Sequence, residues 1–239
     1  MDIRSQILFK WISLFLTAVL QFTAARKLPL SFTVRVGDEV TLPCENVIDV
    51  QQRCDSTIWL FAGSGNTAAV ELVRLGQIGE NTKAKSDRLS VTENCSLVIK
   101  KVTVEDVGRY SCRQFTHKEG KQQAPDSQVY LSVIIMTEHK DTDKVTLTCF
   151  VLIYEQFCRH TVKWLYEGKD VDKDNKDMKT SQSGCYATVS FLDSHFSNKS
   201  KSNLTCKVTD GYSGKVQLFT FSPQSSCEKT GENMLRCSR

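Results

Sequence analysis

Through most of the chain, apolar and polar residues trade places one for one in short runs. Glu39-Val40-Thr41-Leu42-Pro43-Cys44 and Lys144-Val145-Thr146-Leu147-Thr148-Cys149 alternate as a strand with one buried face does. Residues 57–61 and 161–166 are strand-like runs around Trp59 and Trp164, and residues 96–99 and 186–191 are two more. Residues 71–75 read as a further strand, and residues 128–133 as the last strand of the first half. Short β-branched runs without a sustained 3.6-residue period predict an all-β fold. The apolar runs 129–136 and 150–154 are of strand length, too short to cross a bilayer.

The N-terminus has a different pattern. Arg4 and Lys10 precede an apolar stretch at 11–20, and Thr23-Ala24-Ala25 supplies small residues for cleavage. Residues 1–25 therefore read as a secretory signal peptide. No later apolar stretch reaches the length of a membrane span, and no hydrophobic tail of the kind a lipid anchor needs follows. The expectation is a secreted, extracellular chain.

The 239 residues suffice for two domains. With 31 basic and 27 acidic residues and no basic stripe interleaved with aromatics, nothing points to nucleic acid. Ten cysteines change the picture more. None forms a C-x-x-C knuckle, so a disulfide framework fits better than zinc sites. Their order is a repeat. Cys44, Cys54, Trp59, Cys95 and Cys112 in the first half match Cys149, Cys158, Trp164, Cys185 and Cys206 in the second. A repeat of this length means two copies of one domain.

The Cys–Trp–Cys spacing resembles that of immunoglobulin domains, in which cysteines of strands B and F bridge the two sheets over a strand C tryptophan. Asp106-Val107-Gly108-Arg109-Tyr110-Ser111-Cys112 resembles that family's D-x-G-x-Y-x-C motif, with Tyr110 as its tyrosine corner. The resemblance places Arg88 beside Asp106. In the second half Leu204 stands where the corner tyrosine would be. It further implies Cys44–Cys112 and Cys149–Cys206 bridges, 68 and 57 residues apart. The longer span has room for the extra strands of a variable-type domain, residues 28–134. The shorter suits a constant- or intermediate-type domain, residues 136–222, before a polar tail at 223–239. Two tandem immunoglobulin-like β-sandwiches are thus expected. In a variable-type sandwich the B–C and D–E loops share one end, which joins Cys54 to Cys95 and, by the repeat, Cys158 to Cys185. Cys227 and Cys237 are left to pair with each other, to bridge two chains into a disulfide-linked dimer, or to stay free. No Phe-Gly-x-Gly bulge follows Cys112, unlike an antigen-receptor variable segment.

No catalytic constellation emerges. The histidines form no H-E-x-x-H pair, there is no G-x-S-x-G elbow, and Gly63-Ser64-Gly65 reads as a turn. The charged run 168–177 interleaves lysines with aspartates and reads as a solvated loop rather than a cation site. No cofactor or metal is expected. Asn94, Asn198 and Asn203 open glycosylation sequons. The F–G loop of the first domain is the candidate binding element, because such scaffolds recognise ligands with end loops. Phe115 would anchor an apolar group, while His117, Lys118 and Lys121 line the same loop. The phrases around Cys149, Trp164 and residues 215–223 resemble polymorphic innate immune-type receptors of bony fish, in particular the diverse immunoglobulin domain-containing proteins. That resemblance implies immune recognition, with a protein or anionic lipid ligand on a cell or microbial surface. Its membrane-bound members continue into a span and tyrosine-based motifs, which suggests a soluble form here. The rival expectations are an adhesion or structural interaction protein pairing with other such domains, and the truncated ectodomain of a membrane receptor.

Overall fold

The computed structural model describes residues 29–45, 47, 53–64, 68–79, 86–117, 120–171, 175–221, 227–229 and 235–237, with backbone alone at 198, 227–229 and 235–237. The expected signal peptide, residues 1–25, lies outside them, as does Lys118. Nine strands make the first unit: β1 (Leu30–Arg35), β2 (Val40–Leu42), β3 (Thr57–Gly63), β4 (Val70–Arg74), β5 (Gln77–Ile78), β6 (Leu89–Val91), β7 (Leu97–Ile99), β8 (Gly108–Gln114) and β9 (Ser127–Asp141). One sheet has the order β2-β7-β6. The facing sheet places β1 parallel to β9, then β8, β3, β4 and β5. β2 stops before Pro43, which has no N–H to give a ladder.

The second unit adds β10 (Lys144–Leu152), β11 (Thr161–Tyr166), β12 (Lys169–Asp170), β13 (Met178–Ser183), β14 (Tyr186–Leu192), β15 (Leu204–Thr209) and β16 (Val216–Thr220). β13, β14 and β10 pair outward from β9, and β12-β11-β15-β16 forms the opposing sheet. Alternation is cleanest in β10, where every second residue from Val145 to Val151 is buried. The strand set matches a constant- or intermediate-type sandwich with a two-residue extra strand, β12. Asn198 opens a single helical turn, α1 (Asn198–Lys201), before β15. Beyond Phe221, β17 (Cys227–Lys229) and β18 (Leu235–Cys237) form a hairpin whose register sets Cys227 opposite Cys237.

The last strand of the first half is longer than its alternation suggested. β9 does not end at residue 133 but runs on to Asp141, so residues 134–136 lie mid-strand. Residues 127–131 pair with β8, residues 129–134 with β1, and residues 133–141 with β10. β8 and β10 thus lie end to end along one edge of β9, and both units share one nine-stranded sheet.

The reason lies in its side chains. Val129, Leu131, Val133 and Ile135 enter the first core, around Trp59 and Tyr110. Ile134 and Met136 enter the second, around Trp164. Successive strand residues face opposite sides of a sheet. The two sandwiches therefore stand on opposite faces of the shared sheet. β10 repeats the device, with Val145, Leu147, Cys149 and Val151 in the second core and Phe150 and Leu152 packed against the first. A fragment beginning at residue 136 would lose the partners of Phe150, Val151 and Leu152. Its denaturant unfolding is expected to show a second domain about 2 kcal/mol less stable than in the full chain, the scale of one large apolar side chain uncovered.

Candidate binding surface and the interdomain junction

Each core is built around a bridge. Cys44 bonds Cys112 and Cys149 bonds Cys206, with Cα atoms 5.5 and 6.3 Å apart. Trp59 and Trp164 are buried against them, and each indole N–H donates to a backbone carbonyl, Cys95 at 2.9 Å and Ala187 at 3.0 Å. Below the first bridge, the Tyr110 hydroxyl donates to the Asp106 carbonyl at 2.7 Å, and burial pushes its pKa well above the ordinary tyrosine value. Leu204, the counterpart of Tyr110, is fully buried in the second core and fills the place with hydrocarbon.

Arg88 holds Asp106 with two hydrogen bonds, Nη1 to Oδ2 at 2.7 Å and Nη2 to Oδ1 at 3.1 Å. Asp106 is 1% exposed and also accepts from the Thr103 amide. The bond to Asp106 raises the Arg88 pKa against the opposing effect of burial.

The loops at the end of the first unit distant from the second are laced together. Cys54 bonds Cys95, tying the loop before β3 to the turn before β7. Both have positive φ, 61° and 60°, a left-handed conformation disfavoured for side-chain-bearing residues and fixed here by the bridge and its turns. The Phe115 amide donates to the Ser56 carbonyl at 2.9 Å, tying the β8–β9 loop to the same point. That loop is a short hairpin, closed by Thr116 N–H to Lys121 O at 3.0 Å and Gly120 N–H to His117 O at 2.8 Å. A Cβ on Gly120 would fall 2.2 Å from the Thr116 hydroxyl. Its stem is braced by Arg113, which makes two 2.9 Å bonds to Asp126. Phe115 is half-buried in the stem, whereas His117 and Lys121 are exposed beyond it. Asn94 is exposed at the same end, in the turn before Cys95; Asn203 is exposed beside β15 in the second unit.

At its other end the first unit meets loops of the second. Tyr130 of β9 stacks on Tyr212, centroids 6.1 Å apart, and lies 5.9 Å from Tyr154. Arg109 sits over Tyr154 and Arg159 over Tyr212. The Tyr212 hydroxyl donates to Glu155, and burial together with that carboxylate pushes its pKa up to about 12. Arg35 donates to Thr220 O at 2.8 Å, and Gln217 donates to Thr33 O at 3.0 Å. The second unit's loops at 153–160 and 210–214 thus pack on Tyr130, Arg109 and Ser31 of the first unit's sheet. Beneath them lies a buried pair, His160 Nε2 and Asp210 Oδ2, 3.5 Å apart. Cys158 bonds Cys185 next to it. Cys158, His160 and Cys185 lie within 4.8 Å of one another, but the two sulfurs are bonded to each other and are no thiolate ligands.

The immunoglobulin V-set domain family matches residues 27–134, and the CD47 immunoglobulin-like domain family matches residues 129–222. The chain belongs to the immunoglobulin superfamily. The two matches overlap on the strand that the structure shares between the domains. No curated protein matches the chain as a relative. In immunoglobulin terms the laced loops are B–C, D–E and F–G of the first domain, and the junction uses B–C and F–G of the second. Such domains are typically extracellular binding modules. Among the described residues no helix is long and apolar enough to cross a membrane.

Sequence reasoning missed the junction. One signal was present: Val133-Ile134-Ile135-Met136 abandons alternation, as a strand buried on both faces does. The Arg88→Ala substitution leaves Asp106 buried without its cation. It is expected to lower the unfolding free energy by about 3 kcal/mol, measured from the denaturant midpoint at pH 7.

Proposed function

We propose that the protein is an extracellular recognition protein, released through its N-terminal signal peptide, that engages an anionic ligand with the F–G hairpin of its first domain. The lacing of the three end loops carries this reading. A hairpin braced by Arg113–Asp126 and anchored through Ser56 to the Cys54–Cys95 bridge loses little conformational freedom on binding. It presents His117 and Lys121 outward on that rigid stem, and Lys118 belongs to the same loop. Phe115, half-buried at the stem, would anchor an apolar group. The chemistry suits a phospholipid head group or an acidic patch on a cell-surface protein, in keeping with an immune receptor-like role.

The competing reading, pairing with another immunoglobulin-like domain through the first domain's sheet, is disfavoured by the second domain's loops, which pack on Tyr130 and Arg109 of that face. Intrachain pairing of Cys227 with Cys237 fits their facing positions better than a covalent dimer does.

Binding of the secreted protein to phosphatidylserine vesicles, phosphatidylcholine vesicles and leukocytes tests the proposal. Changing His117, Lys118 and Lys121 together to Ala is expected to weaken binding to the anionic vesicles or the cells at least about tenfold, since each cation near such a surface contributes on the order of 1 kcal/mol. Undiminished binding by this variant would move the site to the remaining sheet face.

A further inference from the structure

Among the described residues, buried polar atoms without a hydrogen-bond partner gather at the junction between the domains. They include both ring nitrogens of His160, Asp210 Oδ2, Thr33 Oγ1 and Arg109 Nε. His160 closes the B–C loop of the second domain and is 6% exposed. Asp210 opens that domain's F–G turn and is 5% exposed. Its other oxygen, Oδ1, accepts from the amides of Tyr212 and Ser213 and from the Ser213 hydroxyl at 2.7 to 2.9 Å. Burial alone would raise the Asp210 carboxyl, but those bonds hold it below the ordinary carboxylate range, so it is ionised. Ser31 of β1 lies against it from the first domain.

We propose that this junction is a pH-sensitive joint, in which protonation of His160 loosens the second domain's B–C and F–G loops from the first domain's sheet. The charged neighbours are few. Asp210 faces the ring from the F–G turn, and Glu155 approaches from the B–C loop, where it is held by the Tyr212 hydroxyl and Arg159. From the first domain, β1 offers the hydroxyls of Ser31 and Thr33 and, farther along the same face, Arg35, bonded to Thr220 O; β9 offers Tyr130, stacked on Tyr212, and β8 offers Arg109, turned to Tyr154. Asp210 favours the charged ring, but at 3.5 Å it makes no hydrogen bond to it. Burial opposes the charge more strongly, and the His160 pKa lies below the ordinary value of about 6.5.

An unfolded or opened loop therefore binds the proton more readily than the closed one. The packing is at full strength above about pH 6.5 and weakens as pH falls below it. No slack absorbs the change. A Cβ at Gly211 would lie 1.9 Å from the Arg159 carbonyl, so the two loops already touch backbone to backbone. The shared strand holds the domains together while the loops lift, so acid frees the covered tyrosine face without separating the domains.

Hydrogen exchange of the full chain at pH 7.4 and 5.0, corrected for intrinsic rates, tests this. Residues 153–160 and 210–214 are expected to exchange severalfold faster at pH 5.0 than at pH 7.4, in the direction that a lowered His160 pKa requires. The His160→Gln variant should show no such acceleration. Equal acceleration in the variant, or none in the natural chain, overturns the proposal. If the variant does not fold, NMR titration of His160 in the natural chain decides. A midpoint below 6.5 supports the joint, and one at or above it overturns it.

Discussion

One strand with two buried faces organises this molecule. β9 contributes Val129, Leu131, Val133 and Ile135 to one core and Ile134 and Met136 to the other, and no loop separates the two tasks. Because strand side chains alternate, serving both cores forces the sandwiches onto opposite sides of one sheet. The inner face of the second domain's sheet then continues the outer face of the first. That continuity brings the second domain's B–C and F–G loops down onto Ser31, Thr33 and Tyr130. Contacts such as Arg35 to Thr220 and Gln217 to Thr33 secure a geometry that the strand has already imposed.

The two ends of the first domain consequently have different tasks. At the junction, loops that would be free to bind in an isolated domain are spent on packing around tyrosines and a buried His–Asp pair. At the far end, the loops are tied to the Cys54–Cys95 bridge and left exposed. A ligand site belongs where side chains are accessible and the backbone is fixed, and the F–G hairpin meets both conditions. The junction has the fixed backbone but buries its side chains. It holds a titratable ring whose charge the surroundings oppose, which makes it suited to respond to acid.

Much of this was legible from residue spacing. A bridge needs its Cα atoms within about 7 Å, so the order Cys, Cys, Trp, Cys, Cys carries three-dimensional information directly. The same holds for Asp106 and Tyr110, which act four residues apart, and for Arg88, whose motif position implied its partner. The extent of β9 was harder to read. Its alternation gives way at Val133-Ile134-Ile135-Met136, and an unbroken apolar run does not say which core claims each residue. His160 and Asp210 were illegible for another reason. Each is ordinary in its own loop, and only the stacking of domains across the shared sheet brings them together and buries them.

A continuous strand fixes the two domains in one orientation. Pulsed electron resonance between spin labels on non-natural residues at Glu39 and Lys179, exposed positions in the first and second domains, measures this directly. A single narrow distance distribution at neutral pH is the result predicted. A broad distribution, as two domains on a flexible linker would give, would contradict the account.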